Sequence, residues 1–162
     1  MAADVDLFLK IEGIEGECQD LKHKGELQIV AFSKGVSNAG ASGVGVMGGD
    51  GSGTSVWQDA IFTMRADKSM PKLFTLCATG ERVKKAVLTF RKAGKQQQEF
   101  LKITFSDALV SKFEMGGARD ADATPMVLFA FNFAQIEEEY KAQKADGSLT
   151  GAIKYSYAVG KH

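Results

Sequence analysis

QEFLKITFSDALVSKFEM, residues 98–115, holds the longest apolar–polar alternation in the chain. Leu101, Ile103, Phe105, Leu109, Phe113 and Met115 share one parity, and Lys102, Thr104, Ser106, Lys112 and Glu114 share the other. A period of two is strand geometry, because successive side chains leave opposite faces of a strand. A strand this long is stable only inside a larger sheet that covers its apolar face. Ser106-Asp107-Ala108 interrupts the alternation and predicts a bend or bulge.

The same period recurs along the chain. VDLFLKIE places Val5, Leu7, Leu9 and Ile11 together, with Asp6, Lys10 and Glu12 opposite. ELQIVAFS (26–33) is apolar at both parities, which predicts a strand between two packed layers. SVWQDAIFTMRA (55–66) carries Trp57 and Ile61 on one face and Phe62 and Met64 on the other. KAVLTFRK (85–92) is followed by AGKQQ, where Gly94 supplies a permissive turn, so it predicts a hairpin with 98–115. TPMVLFAFNFAQ (124–135) aligns Val127, Phe129, Phe131 and Phe133, with Pro125 confined to the strand start. AIKYSYAV (152–159) aligns Ile153, Tyr155, Tyr157 and Val159.

One helix stands out. Ser69 is placed as N-cap, Pro71 in the first turn, and Gly80 at the end. Met70, Leu73, Phe74 and Cys77 share its expected buried face. IEEEYKAQKAD (136–146) is also rich in helix formers. Seven or so strands and one helix, with no repeat and no dividing linker, predict a mainly β domain over residues 1–162. The expected form is a compact antiparallel barrel or sandwich.

Composition excludes several functions. Lys plus Arg and Asp plus Glu are 20 each, so overall charge gives no pull toward nucleic acid. No apolar run approaches a membrane span, and the start MAADVDLFLKIEG does not read as a signal peptide. Cys18 and Cys77 form no close pair and read as reduced, packed thiols. His23 and His162 are too few for a zinc or nucleophile site, and His23 reads as a hydrogen-bonding turn residue. Asp50, Asp59, Asp120 and Asp122 do not form a calcium loop, and Glu137, Glu138 and Glu139 read as a solvated face. No catalytic group, metal or cofactor is expected.

The glycine-rich tract from Ser37 to Val56 contains GVGVMG (43–48), which fits G-x-G-x-x-G. A dinucleotide loop must open a helix whose N-terminal amides hold the pyrophosphate. GDGSGTSVW follows instead, and its next element is a strand. The tract also carries Val44, Val46 and Met47, which a purely solvated loop seldom does. It reads as an arm that docks on a partner.

Four segments together resemble one family. GECQDLKHKGELQIVAF (16–32) resembles a Gly-Glu-Ser-x-Asp-x-x-His-x-x-Glu-Ile segment that follows the first strand of the Hcp proteins. These are the hemolysin-coregulated tube proteins of bacterial type VI secretion. DKSMPKLFTLCATG (67–80) resembles their helix, LTFRKAG (88–94) their hairpin, and NFAQIEEEYKAQKADGS (132–148) their Asn-Phe-x-x-Ile-x-x-x-Tyr segment. Cys18 stands where serine is usual, and Phe32 where tryptophan is common.

The resemblance implies a barrel of two sheets with one flanking helix and an extended arm. It implies homohexameric rings stacked into a tube, pushed out by sheath proteins behind a spike, with small effectors in the lumen. It implies export without a cleaved leader, no membrane insertion and no enzymatic role. It also implies that residues 136–140 are strand. Ile136 and Tyr140 have the parity opposite to Phe133, so a bulge is expected near Ala134 or Gln135. The stacking arm would comprise Gly40, Gly43, Val44, Gly45, Val46, Met47, Gly48, Gly49 and Asp50. Glu17, Asp20, His23, Ser69, Pro71 and Leu73 are the expected structural positions.

Overall fold

The computed structural model describes residues 4–38, 55–94, 96–120 and 124–159. In chain order the elements are β1 (Val5–Ile11), β2 (Leu27–Ser33), β3 (Val36–Asn38), β4 (Ser55–Trp57) and β5 (Ala60–Arg65). Then come α1 (Met70–Thr79), β6 (Arg82–Lys92), β7 (Gln98–Gly116), β8 (Met126–Tyr140) and β9 (Ile153–Ala158). β5, β2, β1, β6, β7 and β8 follow one another around a sheet, and β8 pairs again with β5. That last pairing closes a six-stranded antiparallel barrel and leaves neither end of the series as a free edge. β9 pairs with the outer half of β8, and β3 with β4 forms a separate two-stranded sheet.

The interior is filled by the inward residues of the alternating strands. Phe62 lies 5.0 Å from Phe129, 5.1 Å from Phe131 and 6.0 Å from Phe105, centroid to centroid. Leu9, Leu27, Met64, Leu88 and Ile103 complete this core. Val127, Phe129, Phe131 and Phe133 are all buried, as the alternation of 124–135 requires. β8 starts at Met126, immediately after Pro125, whose carbonyl accepts from the Ala66 amide at 2.8 Å.

Residues 136–140 are strand despite their helix propensity. Glu137, Glu138 and Glu139 pair with Thr104, Ile103 and Lys102 of β7, and cross-strand hydrogen bonds override the local preference. The bulge expected near Ala134 or Gln135 is absent, because pairing with β7 keeps one register from Asn132 to Tyr140. The change of parity happens by another route. Val83, Ala108 and Phe133 form one inward row, and Ala86, Phe105 and Ile136 form another. Between these rows all three strands turn two successive residues away from the core. The bend is shared, so no strand needs an extra residue. Asp107, with φ of 51°, sits at its centre, and aspartate is among the residues that tolerate this conformation. Arg82 holds the kink through Nε to Asp107 Oδ1 at 2.6 Å and a second bond to the Asp107 carbonyl. A bulge does lie further along β7, between Val110 and Lys112.

Two other expectations change. Residues 55–66 form two strands rather than one, broken at Gln58-Asp59. ELQIVAFS buries Leu27 and Ile29, but Val30 and Ala31 are exposed, and among the described residues no second layer covers the outer face.

Helix α1 lies against β7. Pro71 occupies its first turn and Gly80 ends it in the left-handed conformation, its amide bonded to the Leu76 carbonyl. The buried stripe is Leu73 and Leu76, flanked by partly buried Met70 and Cys77. Phe74 is 59% exposed and meets only the edge of Phe113. Leu76 therefore takes the place expected for Phe74. Ser69 is at the N-cap but makes no capping bond, because its hydroxyl is turned back to Asp67. Leu73→Ala should cost about 2–5 kcal/mol, since a wholly buried side chain leaves a cavity. A chemical denaturation curve unchanged from wild type would refute this.

Candidate assembly surfaces

The segment between β1 and β2 folds back over the outer wall of β1 and β6. Phe8 lies on the outer parity of β1, yet it is buried there with Thr89 and Arg91 of β6. His23 stacks on Phe8 with centroids 4.2 Å apart and planes within 3°. Its Nδ1 is 2.8 Å from Glu26 and its Nε2 is 2.7 Å from Glu99 at the start of β7. The Arg91 guanidinium lies 4.6 Å from the Phe8 ring centroid. It donates two bonds to Asp20, at 3.0 and 2.7 Å, and one to Asp6 at 3.2 Å. Such a planar bidentate pair fixes both position and orientation.

Asp20 and His23 tie the loop to β6 and β7 through these bonds. His23 also reaches Glu99, 76 residues away in sequence, which reading it as a local turn residue did not include. Glu17 accepts the Lys68 amide at 2.9 Å, and so ties this loop to the residues before α1. Gly16 is required where they meet, because a Cβ there would lie 2.6 Å from the Glu26 carbonyl oxygen. Cys18 is buried and burial pushes its thiol up; Cys18 and Cys77 are both free.

The hydrogen bonds from Arg91 hold the Asp20 carboxyl at about 2, below its usual 3.8. A carboxylate depressed in the folded state contributes stability above its unfolded value and loses it as pH falls through the folded one. The Asp20 contribution is thus intact above about pH 4 and disappears toward pH 2. The stability gap between wild type and Asp20→Asn should be constant near neutrality and shrink over that acid window. Urea midpoints at stepped pH measure it; a gap that widened with acid would contradict the assignment.

Apolar surface lies on the outer wall and at the strand edges. Val30 and Ile61 are exposed on the outside of β2 and β5, and Ile153, Tyr155 and Tyr157 on β9. The base of the arm is a ribbon: Val36 faces Trp57, Ser37 faces Val56 and Asn38 faces Ser55, antiparallel. Gly40, Gly43, Val44, Gly45, Val46, Met47, Gly48, Gly49 and Asp50 lie outside the described residues, as do Asp122 and His162. Among the described residues no three His, Cys, Asp or Glu side chains are grouped to hold a metal. None of the described helices is long and apolar enough to cross a membrane.

Fold and surface define a class: a β-barrel filled by its own side chains, with its exposed apolar surface outside. Comparison with known proteins is specific. Residues 8–140 match the family model described as type VI secretion system effector, Hcp. The protein hcp1 of Pseudomonas aeruginosa is 40% identical over 157 residues, covering 96% of this chain and 95% of that one. The crystal structure of Hcp1 from Salmonella typhimurium superposes with a TM-score of 0.76 at 29% identity, covering 97% and 95% of the two chains. A type VI secretion system effector from Yersinia pestis gives the same score and identity, covering 95% and 100%. The chain belongs to the Hcp family of type VI secretion proteins. The strand pattern also allows a second reading, a monomeric barrel that binds a small ligand; among the described residues the interior does not support it, because phenylalanines fill the space a ligand would need.

Proposed function

We propose that this chain is a non-enzymatic tube subunit. It forms homohexameric rings through head-to-tail neighbour contacts, and the rings stack through the Ser37–Val56 arm. Sheath and spike proteins would be its partners in firing, and small effectors its cargo in the ring lumen. The observation that carries this is the exposed apolar outer wall: Val30, Ile61 and Ile153 sit on a barrel whose core is already complete. A subunit that must bury its outer faces against identical neighbours needs such a wall, and closed cyclic assembly satisfies every copy equally. Membership of the type VI family supports export by that route. Light scattering at micromolar concentration should give six times the 17.4 kDa chain mass. A monomer or dimer would overturn the ring.

A further inference from the structure

We propose that the C-terminal strand β9 seats the β3–β4 ribbon and sets the direction in which it leaves the barrel. The ribbon has little of its own to hold it. Among the described residues it has three residue pairs, with Val36 and Val56 exposed, and an isolated two-stranded ribbon is marginal in water. β9 in turn adds no buried residue to the core, since every side chain from Ile153 to Ala158 is exposed. Its alternate aromatics instead reach the two places where the chain enters and leaves the ribbon.

On the leaving side, Tyr157 stacks on Trp57 with centroids 5.1 Å apart and planes 28° apart. Phe133 closes the site edge-on at 6.2 Å. Among the described residues the buried Trp57 indole N–H has no hydrogen-bond partner, and the ring is held there by its packing. On the entering side, Lys34 lies two residues before β3. Its ammonium is 2.9 Å from Glu138 of β8 and donates to the Tyr155 hydroxyl at 3.2 Å. The Tyr155 hydroxyl donates to Glu138 in the same group. Burial pulls the Lys34 ammonium down, but its bonds to Glu138 and Tyr155 outweigh that and hold it above the usual lysine value. Between the two anchors, Gly35 and Gln58 approach so closely that a Cβ on Gly35 would lie 2.8 Å from the Gln58 amide oxygen. The Gln58 backbone N–H also donates to the Gly35 carbonyl at 2.9 Å. The chain is thus fastened on both sides of the ribbon's base, by Lys34 before β3 and by Trp57 in β4, at residues two apart on one face of β9.

The seat does not depend on the proposed function; any part it plays in ring stacking does. Trp57 is the single tryptophan of the chain, so its fluorescence reports the seat directly. In Tyr157→Ala, emission should shift to the red and the acrylamide quenching constant should rise about twofold or more, because one face of the indole loses its cover. Far-UV circular dichroism and solution mass should not change, and Tyr157→Phe should match wild type. If Tyr157→Ala does not fold, Lys34→Met provides the test without touching the indole, and a smaller rise in quenching is expected. Emission and quenching unchanged from wild type in the folded variant overturn the proposal. A loosened Trp57 in rings that still stack supports the seat and removes stacking from the arm's role.

Discussion

Phe62→Ala should lower the stability of the folded chain by about 3–5 kcal/mol, the cost of deleting a wholly buried aromatic ring. Phe62 is the hub of the barrel. It contacts Phe129 face to face, Phe131 and Phe105 edge-on, and Phe32 at 5.1 Å. Aromatic pairs of these geometries add to simple area burial. The neighbours sit on paired strands, whose hydrogen-bonded ladders keep them from collapsing into the gap. Domains hold only about 5–15 kcal/mol in total, so the loss is about a fifth or more of the whole. The urea midpoint should fall with little change in slope. Phe62→Leu, which refills most of the volume, should recover the larger part. Equal stability of wild type and Phe62→Ala would mean that the core is organised around a different residue.

Replacing Gly43–Gly51 by a short Gly-Ser turn should leave folding intact and abolish stacking and secretion. The paired base, Val36–Asn38 with Ser55–Trp57, is retained, and shortening a loop changes closure entropy only modestly. The removed stretch carries Val44, Val46 and Met47, the apolar residues of the arm. One such contact is weak, but the proposed ring would present all its arms at once, and linked contacts reinforce one another through effective concentration. Solution mass should remain that of a ring, while the variant stays inside cells that fire their apparatus. A variant that fell to monomers would place the arm in the lateral interface. Normal secretion would make it a passive loop.

Period-two alternation identified the strands, because side chains alternate between faces along a regular stretch, but it assigns the faces only up to a kink: beyond Asp107 the buried residues of β7 are Ala108 and Val110, not Leu109. Val127, Phe129, Phe131 and Phe133 could be assigned to the core before any partner was known. Pro71 and Gly80 likewise bound the helix, because their backbone restrictions are intrinsic to the residues. Alternation says nothing about which strand lies beside which. That β5 returns to pair with β8, closing the barrel, was decided by tertiary contact. So was the strand state of Ile136–Tyr140, where pairing with β7 and β9 outweighs helix propensity. The shared kink at Lys84, Asp107 and Ala134 was also invisible to a one-strand reading, which can change parity only by adding a residue. Phe74 and Leu76 exchanged places because a ten-residue helix can rotate its stripe to suit the wall it meets. The cluster of Phe8, Asp20, His23, Arg91 and Glu99 gave only a partial signal, the polar run CQDLKHKGE. Its members come from four segments, and chain order does not encode how a loop folds back across a barrel. The seat of the ribbon is the same kind of feature. Trp57 and Tyr157 are 100 residues apart in sequence and meet only because β8 carries β9 to the ribbon's base.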